Sequence, residues 1–231
     1  SDAGGVEMVI SPTLTKYHSL ILTLLANRGI TDPLEVENFF ALDYTRDVLD
    51  PFLFTEMEKA VEKIREIKEK GEKIAIYGDY DADGVTATVL LSEALEGLGF
   101  SEIIVYIPDR QLEGYGINIP AIEYLHEKET KLIITVDCGI TNVAEVERAR
   151  ELGIEVIITD HHHVLSEIPK ALAIISAKTK ESKYIFKDLS GVGIAFKLAQ
   201  ALYQKMNPGK IDQLKWLLDL VGISTIADMV P

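Results

Sequence analysis

Gly78-Asp79-Tyr80-Asp81-Ala82-Asp83-Gly84-Val85-Thr86-Ala87-Thr88 sets three carboxylates at alternate positions between an apolar run and a helix-like run. The apolar run, Lys73-Ile74-Ala75-Ile76-Tyr77, is short and continuous, as in a strand covered on both faces. From Thr86 to Leu98 the pattern is helical, so the stretch reads as strand, tight turn and helix. Neighbouring carboxylates repel one another and cost free energy unless a positive group holds them. Oxygen ligands of this kind suit hard divalent cations, which makes the turn one half of a metal site. The plain alternative is an acidic surface turn whose aspartates cap the helix.

The same alternation continues outward. Ile103–Ile107, Leu132–Val136 and Val156–Thr159 read as further strands, and Ala173-Ile174-Ile175 as one more. Helical patterns near Ile119–His126 and Val143–Leu152 separate them, and Ile194–Met206 and Ile211–Ile223 follow, broken at Pro208-Gly209. The expected fold is α/β: a mostly parallel, doubly wound sheet with helices on both faces. Upstream, apolar residues from Leu14 to Arg28 recur at helical spacing, with Gly29 as the expected C-cap. Asp32 before Pro33 reads as an N-cap of a short helix through Phe40, and Met57–Lys70 as a helix ended by Gly71. Residues 1–70 are therefore expected to form an N-terminal helical layer and residues 71–231 the chemical core. The loop Lys178–Asp188 is a candidate flexible segment.

Bulk properties narrow the function. A chain of 231 residues with 47 % apolar residues has ample material for a core. No apolar run reaches the roughly 20 residues of a membrane span. A single cysteine, Cys138, excludes an internal disulfide and suits a reducing cytoplasm. Ser1-Asp2-Ala3-Gly4-Gly5 is small and polar, like an expression scar or a frayed terminus. The net charge of −14 argues against a module that coats nucleic acid by its backbone. A polyanionic substrate would have to be gripped locally, by metals and a few cationic side chains.

In a doubly wound sheet ligands bind outside the carboxyl ends of the strands. Three of the expected strands run there into candidate ligands: Asp79, Asp81 and Asp83 after the first, Val136-Asp137-Cys138-Gly139 after the third, and Thr159-Asp160-His161-His162-His163 after the fourth. Each alone could be a cap or a satisfied polar side chain; all three share one edge. Carboxylates with one or two histidines and no thiolate cluster suit Mn²⁺ or Mg²⁺, and such a set can hold two ions about 3.5–4 Å apart. The chemistry expected is hydrolysis of a phosphoester or phosphoanhydride. Arg110, after the second strand, is a candidate phosphate clamp, and Tyr115 a candidate base-stacking residue. Ser190-Gly191-Val192-Gly193, before a helix, resembles an anion-binding helix start.

Asp160-His161-His162 resembles the signature of the DHH phosphoesterase superfamily. Gly78–Gly84, Val136-Asp137-Cys138-Gly139-Ile140 and Thr225-Ile226-Ala227-Asp228 resemble its acidic motifs. Asn27-Arg28-Gly29-Ile30, Asp50-Pro51-Phe52, Glu113-Gly114-Tyr115-Gly116 and the run from Ser190 to Lys197 are similar to its branch of single-strand-specific 5′→3′ exonucleases. The resemblance implies two-metal hydrolysis of single-stranded DNA to 5′-mononucleotides, with Asp81, Asp83, Asp137, His161 and Asp228 as ligands and Asp79 close by. It further implies that Asp137 bridges two Mn²⁺ or Mg²⁺ ions, that His162 faces the scissile phosphate and that Asp160 orients a histidine. His163 is read as incidental. Many members carry a ligand histidine four residues before Asp81, where this chain has Tyr77. The family further implies a basic substrate-binding domain beyond Pro231, and single-strand-binding or replication proteins as partners. The competing readings are an oligoribonuclease, cyclic-dinucleotide phosphodiesterase or pyrophosphatase of the same superfamily, acting on RNA or small phosphoesters, and a non-catalytic replication scaffold.

Overall fold

The computed structural model describes residues 14–230, so the Ser1–Gly5 stretch lies outside the described residues. The chain divides into two compact units, one up to Leu49 and one from Asp50 onward, so the expected helical layer of residues 1–70 runs across that boundary.

In the first unit α1 (Ser19–Ala26), α2 (Pro33–Phe40) and α3 (Tyr44–Asp47) follow one another. The helix expected from Leu14 begins only at Ser19, after His18 caps it, and ends at Asn27 rather than at Gly29. Asp32 caps α2 as expected, accepting from the Leu34 and Glu35 N–H groups, with Pro33 in the first turn. Leu14, Leu22, Leu25 and Val36 form the small core of this unit.

The second unit opens with a 3₁₀ turn, Pro51–Leu53, capped by Asp50, followed by α4 (Met57–Lys70), closed by Gly71 in the left-handed conformation. Then come β1 (Lys73–Gly78), α5 (Ala82–Gly97), β2 (Ile103–Tyr106), α6 (Ile119–Glu127), β3 (Thr130–Val136), α7 (Val143–Glu151), β4 (Glu155–Thr159), β5 (Ala173–Ile175), α8 (Gly191–Met206) and α9 (Leu218–Ala227). The five strands are all parallel, in the order β2-β1-β3-β4-β5. Ala75 and Tyr77 of β1, with Ile133 and Ile158, pack on α6 and α7. The opposite face is covered by α4, α5 and α8. Burial on both faces explains why the strands read as unbroken apolar runs.

Two elements differ from expectation. α5 starts at Ala82, not Thr86, because Asp81 caps it by accepting from the Gly84 N–H. That shift places Asp83 inside the first helical turn. The expected helix over residues 211–223 divides into a 3₁₀ segment, Pro208–Leu217, and α9. Ile211, Leu214 and Leu217 recur every three residues, the period of a 3₁₀ helix and not of an α-helix.

With this strand order the chain reverses direction across the sheet between β1 and β3. The crevice above their carboxyl ends is the topological switch point where doubly wound folds bind ligands. Asp79 follows β1 and Asp137 follows β3, one on each side of it.

Candidate metal centre

Asp137 stands at the middle of the switch point. Its backbone φ of 62° is left-handed, a region that aspartate enters more readily than most side chains. Its N–H donates to the Thr159 carbonyl, tying the end of β3 to the end of β4. Gly191 passes so close that a Cβ there would lie 2.4 Å from Asp137 Oδ1. The glycine is therefore a requirement of packing against Asp137.

Around Asp137 the ligand candidates fall into three overlapping groups: Asp79, Asp81 and Asp137; Asp137, His161 and His162; and Asp83, His161 and Asp228. Within each group one atom per residue lies within 4.8 Å of the others, about the span across a cation with oxygen bonds of roughly 2.0–2.6 Å. Asp137 belongs to two groups, as a bridging ligand must. His161 Nε2 lies 3.2 Å from Asp137 Oδ1, 3.6 Å from Asp228 Oδ2 and 3.7 Å from Asp83 Oδ2.

The unmet valences carry the test of fit. Both ring nitrogens of His161, Oδ1 of Asp137 and Oδ1 of Asp79 are buried and make no aligned hydrogen bond. Buried polar atoms are nearly always paired, because stripping them of water costs free energy. Of these, His161 Nε2 and Asp137 Oδ1 lie 3.2 Å apart, with the Asp79 carboxylate in a ligand group with Asp137, an arrangement that fits a divalent cation. The electrostatics agree: burial, then the neighbouring carboxylates of Asp83 and Asp81, push the Asp137 carboxyl up to about 10. Burial also raises Asp79 and Asp228. A cation would relieve all three.

The structure brings together all six expected ligands, Asp79, Asp81, Asp83, Asp137, His161 and Asp228. It assigns some of them further duties. Asp83 is buried, and its Oδ2 accepts from the Gly191 N–H at 2.6 Å while Oδ1 accepts from the Val192 N–H at 2.7 Å and from Ser224 Oγ. The N–H groups at the start of α8, expected to meet a substrate phosphate, thus hold the chain's own Asp83. Ser190 caps α8, its Oγ accepting from the Gly193 N–H. Ser190, Gly191 and Gly193 accordingly build the wall behind the ligands and do not form the expected substrate subsite. Ser224 escaped the sequence reading; it lies one helical turn before Asp228, on the same side of α9.

Asp160 is fully buried. Its Oδ2 accepts from the Ile140 N–H at 2.9 Å, and its Oδ1 faces the His162 N–H at 3.0 Å and Nδ1 at 2.8 Å. The hydrogen bond to Asp160 raises the basicity of His162, favouring an imidazolium that presents Nε2 outward. Tyr115 Oη lies 3.1 Å from the same Nδ1 and its ring meets His162 edge-on. Tyr115 therefore supports His162, a contact that the base-stacking expectation did not include. The Arg110 guanidinium sits 5.3 Å from the centre of the Tyr80 ring. His163 is exposed, apart from the cluster. Tyr77, at the position often held by a ligand histidine, is buried among α6 and α7; its hydroxyl donates to the Gly116 carbonyl and accepts from Asn118. It has no part in the cluster. Cys138 is buried and packed.

A doubly wound parallel sheet whose switch point holds this acidic and histidine cluster defines a class. Residues 73–225 match the model of the DHH family, N-terminal domain, and the chain belongs to that family. Among curated proteins it is similar to the single-stranded-DNA-specific exonuclease RecJ of Bacillus subtilis (45 % identical over 212 residues, 92 % of this chain and 26 % of that protein) and of Escherichia coli (38 % over 220 residues, 92 % and 37 %). Among solved structures it resembles exonuclease RecJ bound to manganese (TM-score 0.68, 35 % identity, 80 % of this chain and 46 % of that one). It also resembles RecJ of Thermus thermophilus in complex with Mn²⁺ (TM-score 0.65, 31 % identity, 90 % and 28 %). The chain spans between a quarter and two-fifths of the length of these curated relatives.

Proposed function

We propose that this chain is the catalytic core of a metal-dependent phosphodiesterase that degrades single-stranded DNA from its 5′ end to mononucleotides, with two Mn²⁺ or Mg²⁺ ions as cofactors. The observation that carries the proposal is the set of orphaned ligand atoms around Asp137, shared between two groups of ligands. Asp79, Asp81 and Asp137 would hold one ion; Asp83, Asp137, His161 and Asp228 would hold the other. Asp83 Oδ2 accepts a single hydrogen bond and retains a lone pair for this role. Bound there, such a pair supplies a hydroxide near neutral pH and neutralises charge on the phosphate.

The chain's own residues do the rest. Asp160 fixes the His162 ring through Nδ1, so that Nε2 is the nitrogen turned to the phosphate, where an imidazolium donates a hydrogen bond to the developing charge. Tyr115 Oη supports the ring at the same Nδ1, which leaves Nε2 clear. Asp83 is fixed by two backbone N–H groups and Ser224, which gives a ligand of set position without a search over rotamers.

The proteins named as RecJ support DNA over RNA or small phosphoesters as the substrate, and the full set of ligands argues against a scaffold that has lost catalysis. Among the described residues no helix is long and apolar enough to cross a membrane. A cytoplasmic enzyme with single-strand-binding or replication proteins as partners belongs to the same proposal. The experiment compares 5′- and 3′-labelled single strands with and without Mn²⁺. Metal-dependent release of labelled mononucleotide from the 5′-labelled strand first is the expected result. Release of the 3′ label first, or equal action on RNA, would redirect it to the oligoribonuclease reading.

A further inference from the structure

An open groove of about 640 Å³ is lined by residues between 163 and 168, after β4, and between 177 and 187, after β5. His163, its first lining residue, directly follows His162 of the metal centre in the chain. The opposite wall comes from the segment after β5, with Lys178, Lys180 and Lys187. Lys187 Nζ donates to the Ala177 carbonyl at 2.7 Å and ties that segment in place. Leu165 and Ile168 line another part, exposed by 59 % and 40 %. Glu181 is the single carboxylate among the lining residues.

This local balance opposes the net charge of the whole chain, −14. Lysines on one wall and exposed aliphatic side chains on another match a strand that has phosphates on one side and base faces on the other. The position is equally specific, since the groove is lined by the segments that follow β4 and β5, and His163 in its lining comes directly after His161 and His162 of the metal centre.

We propose that this groove is a strand-binding subsite that receives the single-stranded segment flanking the scissile phosphate, with Lys178 and Lys180 against its phosphates and Leu165 and Ile168 against its bases. The proposal rests on the phosphodiesterase reading of the metal centre. It assigns to the loop 178–188 a hold on the substrate.

The test uses the chain as given and its Lys178→Gln/Lys180→Gln variant. Binding of a fluorescent 12-nucleotide single strand is followed by anisotropy over a range of salt, and Mn²⁺-dependent hydrolysis of bis-p-nitrophenyl phosphate is followed in parallel. The small diester reports the metal centre alone. The expected result is roughly tenfold weaker strand binding in the variant, with a log–log salt dependence shallower by about 1.4, since each phosphate contact on a single strand contributes about 0.7. Hydrolysis of the small diester stays unchanged. Equal affinity and equal salt dependence in parent and variant would overturn the groove assignment while leaving the metal centre intact. Absence of diester hydrolysis in the parent would instead overturn the phosphodiesterase reading.

Discussion

Asp137 combines a left-handed backbone, near-total burial and a carboxyl whose pKa is pushed up by burial and by the neighbouring carboxylates of Asp83 and Asp81, all unfavourable in isolation. Asparagine keeps the shape, tolerates the same φ and carries no charge. The metal-free Asp137→Asn variant should therefore melt a few degrees above the parent in chelator, while Mn²⁺ stabilises the parent and no longer the variant; thermal melts with and without Mn²⁺ check both. Asp160 acts at one remove from the chemistry. Asp160→Asn should lower hydrolysis by about 10- to 100-fold with Mn²⁺ binding largely kept, because an orienting partner is lost and the ligands are not. Measured kcat beside metal affinity separates these. The candidate ligands Asp79, Asp81, Asp83, Asp137 and His161 were legible in the sequence because they follow strand ends beside apolar runs, whereas Asp228, at the end of α9, was legible only through the family resemblance. The partners of Asp83 were not, because Ser224 and the α8 N–H groups meet it only through tertiary packing.

At the scale of elements, the strand–turn–helix of β1 and α5 was readable from periodicity, but its register was not. Asp81 could be read as a ligand or as a cap, and the structure uses it as a cap that starts α5 four residues early. The start of α8 misled for a related reason. A Ser-Gly-Val-Gly helix start announces an anion, and the anion is internal: Asp83 of α5, held by the first turn of α8. Two helices are thereby locked together at the site. Gly191→Ala would drive a methyl group into Asp137 and should cost about 1–3 kcal/mol, the usual range for overpacking, together with loss of Mn²⁺ binding. Gly209→Ala, with nothing within 4 Å of the new methyl, should leave the metal affinity unchanged. Denaturant melts and metal titration on the pair distinguish local collision from a general effect of alanine.

Over the whole molecule, the parallel order β2-β1-β3-β4-β5 gathers residues scattered from 79 to 228 at one edge, which composition alone could not foretell. The same packing buries Lys197 on α8, near Gln200 and the Tyr184 ring, and burial lowers its pKa to about 8 against the opposing pull of Asp50. Between about pH 8 and 10.5 the unfolded chain keeps a proton on this lysine that the folded chain has released. Stability from this residue therefore rises with pH over that window, by about 3 kcal/mol at about 1.4 kcal/mol per pH unit. Lys197→Met should lack that rise, which urea melts of parent and variant at about pH 7 and about pH 10 would show. The central claim is that Asp137 is shared by two bound cations. Calorimetric titration of Mn²⁺ into the metal-free chain, with Asp137→Asn in parallel, tests it most directly. Two ions per chain, with binding weakened or lost at both sites in the variant, is the predicted result; two identical titrations, or none in the parent, would contradict it.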